Sequence, residues 1–94
     1  MNRDDPDYEL AQKRAREFAE RLKRATAEIE EAHEAKHEQL VVATAAFDAA
    51  IANAASDQDV KEAHAAHARA LRRASDEFLT AKTRIRKKHN VAEE

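Results

Sequence analysis

The sequence predicts an all-α fold: a coiled-coil-like antiparallel hairpin of two helices that dimerises into a four-helix bundle. Alanine supplies twenty-three of the 94 residues and charged residues supply 38%, whereas glycine and cysteine are absent and proline occurs once. Long helices have this composition, whereas a sheet needs β-branched and aromatic residues together with turn formers. Apolar residues also recur at alternating steps of three and four, the heptad spacing of helices packed side by side. A chain of this length is expected to form one module, residues 1–94.

Helix 1 is predicted to span about residues 6–54. Asp5 and Pro6 form a good helix start, because Asp caps free N–H groups and Pro is tolerated at the first helical position. The apolar seam of this helix then runs through Ala11, Ala15, Phe18, Leu22, Ala25, Ile29 and Ala32. Further along the chain the apolar stripe slips by about one residue, so that the bulky positions are Leu40, Phe47 and Ile51.

The turn is predicted at about residues 54–57 and helix 2 at about residues 57–90. The seam of helix 2 consists of Val60, His64, His67, Leu71, Ala74, Phe78, Ala81 and Ile85. This seam is out of phase with the stripe of helix 1, which indicates a break between them. Ser56 followed by Asp59 is typical of a capping box, with Asp in place of the usual Glu or Gln. Because neither Gly nor Pro marks the turn, one unbroken helix is the alternative.

Folding the chain back near residue 55 places large side chains opposite small ones, for example Ile85 opposite Ala25. Close helix packing requires this complementarity. Two unbroken helices from different chains would make the same pairs, so a swapped dimer is a second way to satisfy the pattern. Two helices alone bury only one narrow stripe. The apolar residues off the main seam therefore predict a homodimer interface, formed by Leu10, Leu40, Val41, Val42 and Leu79.

Charges are segregated along the chain although the net charge is only −2. The open end of the hairpin is predicted to bring together two basic segments, residues 13–24 and 82–89. Their basic residues are Lys13, Arg14, Arg16, Arg21, Lys23, Arg24, Lys82, Arg84, Arg86, Lys87 and Lys88. Residues 28–38 form an acidic band of five glutamates and one lysine. Three partners for the basic end compete: the acidic termini of the same chain, the acidic band of another subunit, and the phosphates of a nucleic acid.

Paired histidines are the candidates for metal or polar-core chemistry. Two overlapping Glu-x-x-His elements lie in helix 1, at Glu30, His33, Glu34 and His37. Imidazoles one helical turn apart can chelate a transition metal, although a di-iron site would also need the motif in helix 2, which lacks it. His64 and His67 occupy seam positions instead. They are expected to form a polar layer that fixes the register, hydrogen-bonded to Thr44 or Asp48.

These features predict a non-catalytic helical interaction module: an adaptor, inhibitor or assembly protein that presents a charge-polarised surface to a protein partner. No nucleophile with a base, no phosphate loop and no pocket is evident, so neither enzyme activity, a cofactor nor a small-molecule substrate is expected. One alternative is a nucleic-acid-associated protein that binds phosphates through the basic end, and another is a metal-binding bundle. The lack of cysteine and of a long apolar run predicts a cytoplasmic protein without a membrane partner.

Overall fold

The computed structural model describes residues 6–91 as two antiparallel α-helices. Helix α1 spans Pro6–Ala52, helix α2 spans Asp57–Lys88, and the molecule is 78 Å long and 18 Å by 15 Å across. The two helices pack against each other, so the predicted hairpin is confirmed and the single unbroken helix is wrong. Both helices end about two residues earlier than the sequence predicts. The expected N-cap residue of α1, Asp5, lies outside the described residues.

Capping interactions set the start of α2. The Ser56 Oγ atom accepts a hydrogen bond of 3.2 Å from the backbone N–H of Asp59, while the Asp59 carboxylate accepts one of 2.9 Å from the backbone N–H of Ala55. The carboxylate bonds the residue before the N-cap, whereas in the usual capping box it bonds the N-cap itself. Asp57 and Asp59 also place negative charge in the first turn of α2, where the helix dipole favours it. Local chemistry alone therefore positions this turn.

A Schellman motif ends α2. Asn90 adopts a left-handed backbone conformation with φ of 54°. The N–H groups of Asn90 and Val91 donate to the carbonyls of Lys87 and Arg86, at 3.1 and 2.8 Å. These two bonds satisfy the last carbonyl groups, and the motif characteristically adds an apolar contact made by the residue after the left-handed one. Val91 is that residue here, and it is buried with Ile85.

The buried core is narrow and consists mainly of alanine. Within residues 6–91 the buried apolar residues are Ala25, Ala43, Ala63, Ala74, Ile85 and Val91. Ala25 packs in one cluster with Ile85, as the large-to-small pairing predicts, and Ile29 lies against that cluster. Small side chains at these positions allow close approach of the two helix axes. Most of the larger apolar side chains remain partly or largely exposed to solvent.

The unequal length of the helices leaves part of α1 without a partner helix. Helix α1 has 47 residues and α2 has 32. Lys88, the last residue of α2, forms an ion pair with Glu28 of α1. Residues 6–20 of α1, called the overhang here, therefore extend past the end of α2. Nearly all of their side chains are exposed.

Candidate interaction surfaces

One side of the hairpin carries the polar contacts between α1 and α2 and is called the polar face. The Gln39 side-chain amide donates to Glu77 at 2.8 Å. The ammonium group of Lys88 lies 2.7 Å from the Glu28 carboxylate, which His89 also contacts. Positions 28, 35, 39, 42 and 46 of α1 recur at three-, four- and seven-residue steps, which places them on one side of the helix. Alanines and Val42 line the groove beside Gln39 and Glu77 on this face.

The opposite side carries larger apolar and aromatic groups and is called the apolar face, formed by Leu40, Phe47, Ile51, Val60, Leu71 and Phe78. Phe78 lies nearest the seam, since it also lines the groove beside Gln39 and Glu77. Rings from both helices meet here: Phe47 lies 4.9 Å from His64 and from His67, and His33 lies 5.7 Å from Phe78, between ring centroids. The ammonium group of Lys36 lies 5.2 Å from the centroid of the Phe78 ring. Among the described residues no hydrogen bond joins α1 to α2 across this face. Its side chains are only partly covered.

The two seam histidines contact an aromatic ring. Within residues 6–91 neither His64 nor His67 forms the predicted hydrogen bond to Thr44 or Asp48. His64 is exposed, and the Nδ1 atom of His67 is buried without a hydrogen-bond partner. The physical reason is the position of Phe47, whose ring makes an edge-on contact with His64 and a tilted contact with His67. The predicted polar layer is therefore an aromatic cluster in this structure.

The candidate metal ligands Glu30, His33, Glu34 and His37 are all exposed on α1. The ring of His33 packs edge-on against Phe78. In the part of the chain that the structure describes, no group of three or more histidine, aspartate or glutamate side chains could hold a metal ion. Helix α2 therefore brings no third ligand to this pair of Glu-x-x-His elements.

The two predicted basic segments do not lie side by side along their whole length. Lys88 pairs with Glu28, and Lys13 lies about fifteen residues, or roughly 22 Å, further along α1 than Glu28. The cause is the unequal length of the helices, since the end of α2 packs near Ala25 and Glu28. In the overhang, Phe18 contacts the guanidinium group of Arg21, whose Cζ atom lies 5.6 Å from the ring centroid.

Glu28 links the acidic band of α1 to the basic end of α2. Hydrogen bonds from Lys88 and then from His89 lower the pKa of the Glu28 carboxyl group below its ordinary value of 4.5. Part of the positive charge at the open end is thus neutralised by the acidic band of the same chain. The acidic residues of the two termini, Asp4, Asp5, Glu93 and Glu94, lie outside the described residues.

The five residues predicted to form an oligomer interface do not share one surface. Leu40 belongs to the apolar face, and Leu79, which is 57% exposed, flanks it. Val41 is 55% exposed and lies between the two faces, because it is one helical step from both Leu40 and Val42. Val42 lies on the polar face and is 67% exposed. Leu10 lies on the overhang. A single flat interface cannot contain all five, although Leu40 and Leu79 share one side of the hairpin.

Two residues of this region were absent from the sequence predictions, Glu28 as an ion-pair partner and Asn90 as a helix stop. The sequence carries a local signal for Asn90, because Asn followed by an apolar residue just beyond the last seam position is typical of a left-handed helix end. The sequence carries no local signal for the ion pair of Glu28, since its partner Lys88 lies sixty residues away.

No protein-family model, curated protein or solved structure matches this chain. Along residues 6–91, neither helix contains an apolar stretch of the length needed to cross a membrane.

Proposed function

We propose that this protein is a non-catalytic helical interaction module that works as a homodimer and presents a charge-polarised surface to a protein partner. The observation that carries the proposal is the mismatch between a core made mainly of alanine and a surface rich in large apolar groups. Those that are at least one-third exposed are Leu10, Phe18, Leu22, Val41, Val42, Ile51, Leu71 and Leu79.

The energetics of the hairpin favour a partner. Fully burying one Leu, Ile or Val side chain contributes about 1.5–3 kcal/mol. The exposed fractions of the eight residues are 36–67%, so roughly that share of the contribution is left unused. Small helical scaffolds with so little buried area usually need oligomerisation or another staple to be stable. A second helical surface that covers these side chains would supply the missing burial, as in four-helix bundles.

The charge distribution supports a role in choosing that partner. The acidic band, residues 28–38 of α1, has five glutamates and one lysine. Residues 78–88 of α2 have five basic residues and no acidic one, and they lie level with that band because of the contacts of Glu28 and Gln39. Opposite charge on two sides of one module raises the rate of association and selects between partners more than it adds affinity.

Binding of nucleic acid through the basic end has less support. Lys88 is engaged with Glu28, and Lys13, Arg14 and Arg16 lie on the overhang, away from the basic residues of α2. Phe47 and Phe78 contact histidine rings, which leaves them poorly placed for stacking with bases. Filter binding to duplex DNA at two salt concentrations separates the two functions, because phosphate binding falls steeply with salt.

Sedimentation equilibrium tests the homodimer directly. We expect a mass of twice the 10.6 kDa chain and a melting temperature that rises with protein concentration. A species with the mass of one chain at every concentration, with a melting temperature independent of concentration, would contradict self-association. A hetero-complex would then be the form in which the apolar side chains are covered.

A further inference from the structure

We propose that the second copy packs on the apolar face and that both hairpins of the dimer point in the same direction. In this dimer the two-fold axis runs parallel to the long axis of the hairpins. The inference rests on the proposed homodimer and adds to it which face is covered and how the copies are oriented. It follows from the division of contacts between the two faces and from the positions of the charged bands.

The division of contacts identifies the covered face. Polar bridges between α1 and α2, such as Gln39 with Glu77 and Glu28 with Lys88, lie on the polar face, where water can solvate them. The apolar face has ring contacts and aliphatic side chains, and Leu71 is 37% exposed on it. Burying the polar face would desolvate ion pairs at a cost, whereas burying the apolar face removes carbon from water. Leu79 flanks the apolar face and would be partly covered with it.

The area available on this face matches a stable dimer. The 32 residues of α2 give a paired length of about 48 Å. With the hairpin width of 18 Å, each copy offers roughly 850 Å², or about 1,700 Å² for the pair. Specific interfaces bury about 1,200–2,000 Å² in total. The apolar face is therefore large enough for one complete partner hairpin.

The charged bands decide the direction of the second copy. When both hairpins point the same way, each acidic band of α1 lies beside the basic residues 78–88 of the partner's α2, so that charge alternates around the bundle. In an end-over-end dimer, both bands would instead face the half of the hairpin near the turn. There, residues 39–52 carry only Asp48, and residues 57–76 carry four acidic and four basic residues. Only the same-direction dimer pairs opposite charges, and it places both overhangs at one end.

Distances between spin labels test the direction. The chain has no cysteine, so Ala55→Cys puts a single label at the turn of each copy. With helix axes 8–10 Å apart, the same-direction dimer places the two turn labels about 20–30 Å apart, across the bundle diagonal. An end-over-end dimer separates them by at least about 48 Å, the length of α2. A long turn-to-turn distance in a protein that sediments as a dimer would overturn this inference alone. A protein that sediments as a monomer would overturn the proposed homodimer as well.

Charge insertion tests the face. Leu71→Glu on the apolar face is expected to weaken dimerisation at least tenfold, while Val42→Glu on the polar face leaves it unchanged. Because Leu71 also contributes to the hairpin, Leu79→Glu provides a second variant, on the same helix and at a side chain that is already 57% exposed. Circular dichroism checks that each variant remains helical. Dissociation by Val42→Glu, with Leu79→Glu still dimeric, would place the interface on the polar face and refute the proposal.

Discussion

Shortening the side chain of Ile85 measures how much the narrow core contributes to stability. Ile85 is 8% exposed and packs with Ala25 and Val91. At about 0.8 kcal/mol for each buried carbon, Ile85→Val loses about 0.7 kcal/mol, and the further step from Val to Ala loses about 1.5 kcal/mol. A cavity left at this position would add to that, so that Ile85→Ala costs about 2–4 kcal/mol in total.

Val42→Ala is the matched control, because it removes the same two carbon atoms as the step from Val to Ala at position 85. Val42 is 67% exposed, so the lost burial is only about 0.5 kcal/mol. Both changes gain about 0.5 kcal/mol of helix propensity, and this gain cancels in the comparison. We expect the two positions to differ by about 1–2 kcal/mol, equivalent to roughly 4–16 °C in melting temperature.

Urea unfolding followed by circular dichroism at one fixed protein concentration gives both free energies of unfolding, with the dimer contribution held constant. An equal loss of unfolding free energy for the Val-to-Ala step at positions 42 and 85 would refute the reasoning. It would mean that packing between α1 and α2 does not depend on the Ala25, Ile85 and Val91 cluster.

Two further variants test the ends of the hairpin. Since the folded-state pKa of Glu28 is lowered, its contribution to stability is present above its ordinary pKa of 4.5 and is lost as the pH falls through the folded value. Glu28→Gln should therefore lower the melting temperature near pH 7 and lower it by less as the medium is acidified, whereas Glu31→Gln has little effect throughout. A Glu28→Gln deficit that does not shrink on acidification would contradict the ion pair. Asn90 has a left-handed backbone, so Asn90→Ala should lower the free energy of unfolding by about 1 kcal/mol, while Asn90→Gly stays within about 0.5 kcal/mol of the natural protein. Equal urea midpoints for the two variants would exclude a backbone cause.

Much of the fold followed from short-range features of the sequence. Helix content comes from alanine and charged residues without glycine, and the start of α2 comes from Ser56 and Asp59, three residues apart. The pairing of Ala25 with Ile85 also followed, because a hairpin that closes near residue 55 fixes which positions face each other. Each of these inferences depends on spacings within one helix or on the turn alone.

The surfaces followed less well from the sequence. The basic segments were expected to come together at the open end, but α2 ends near Ala25 and Glu28, so Lys13 lies on the part of α1 beyond it. His64 and His67 were expected to bond polar neighbours, yet both imidazoles contact the ring of Phe47 instead. A heptad pattern says which side of a helix is apolar, but contacts across the hairpin depend on axial offset and side-chain rotamers.

The sequence by itself determined that the chain is helical and where it breaks, because propensity and capping act over a few residues. Periodicity identified only part of the seam, since Phe18 and Leu22 are exposed whereas Ala63, outside the predicted seam, is buried. The tertiary structure alone decided that Glu28 lies beside Lys88, that polar bridges occupy one face and aromatic contacts the other, and that residues 6–20 have no partner helix. These features depend on the relative position of residues up to sixty apart, which the packing of α1 against α2 sets.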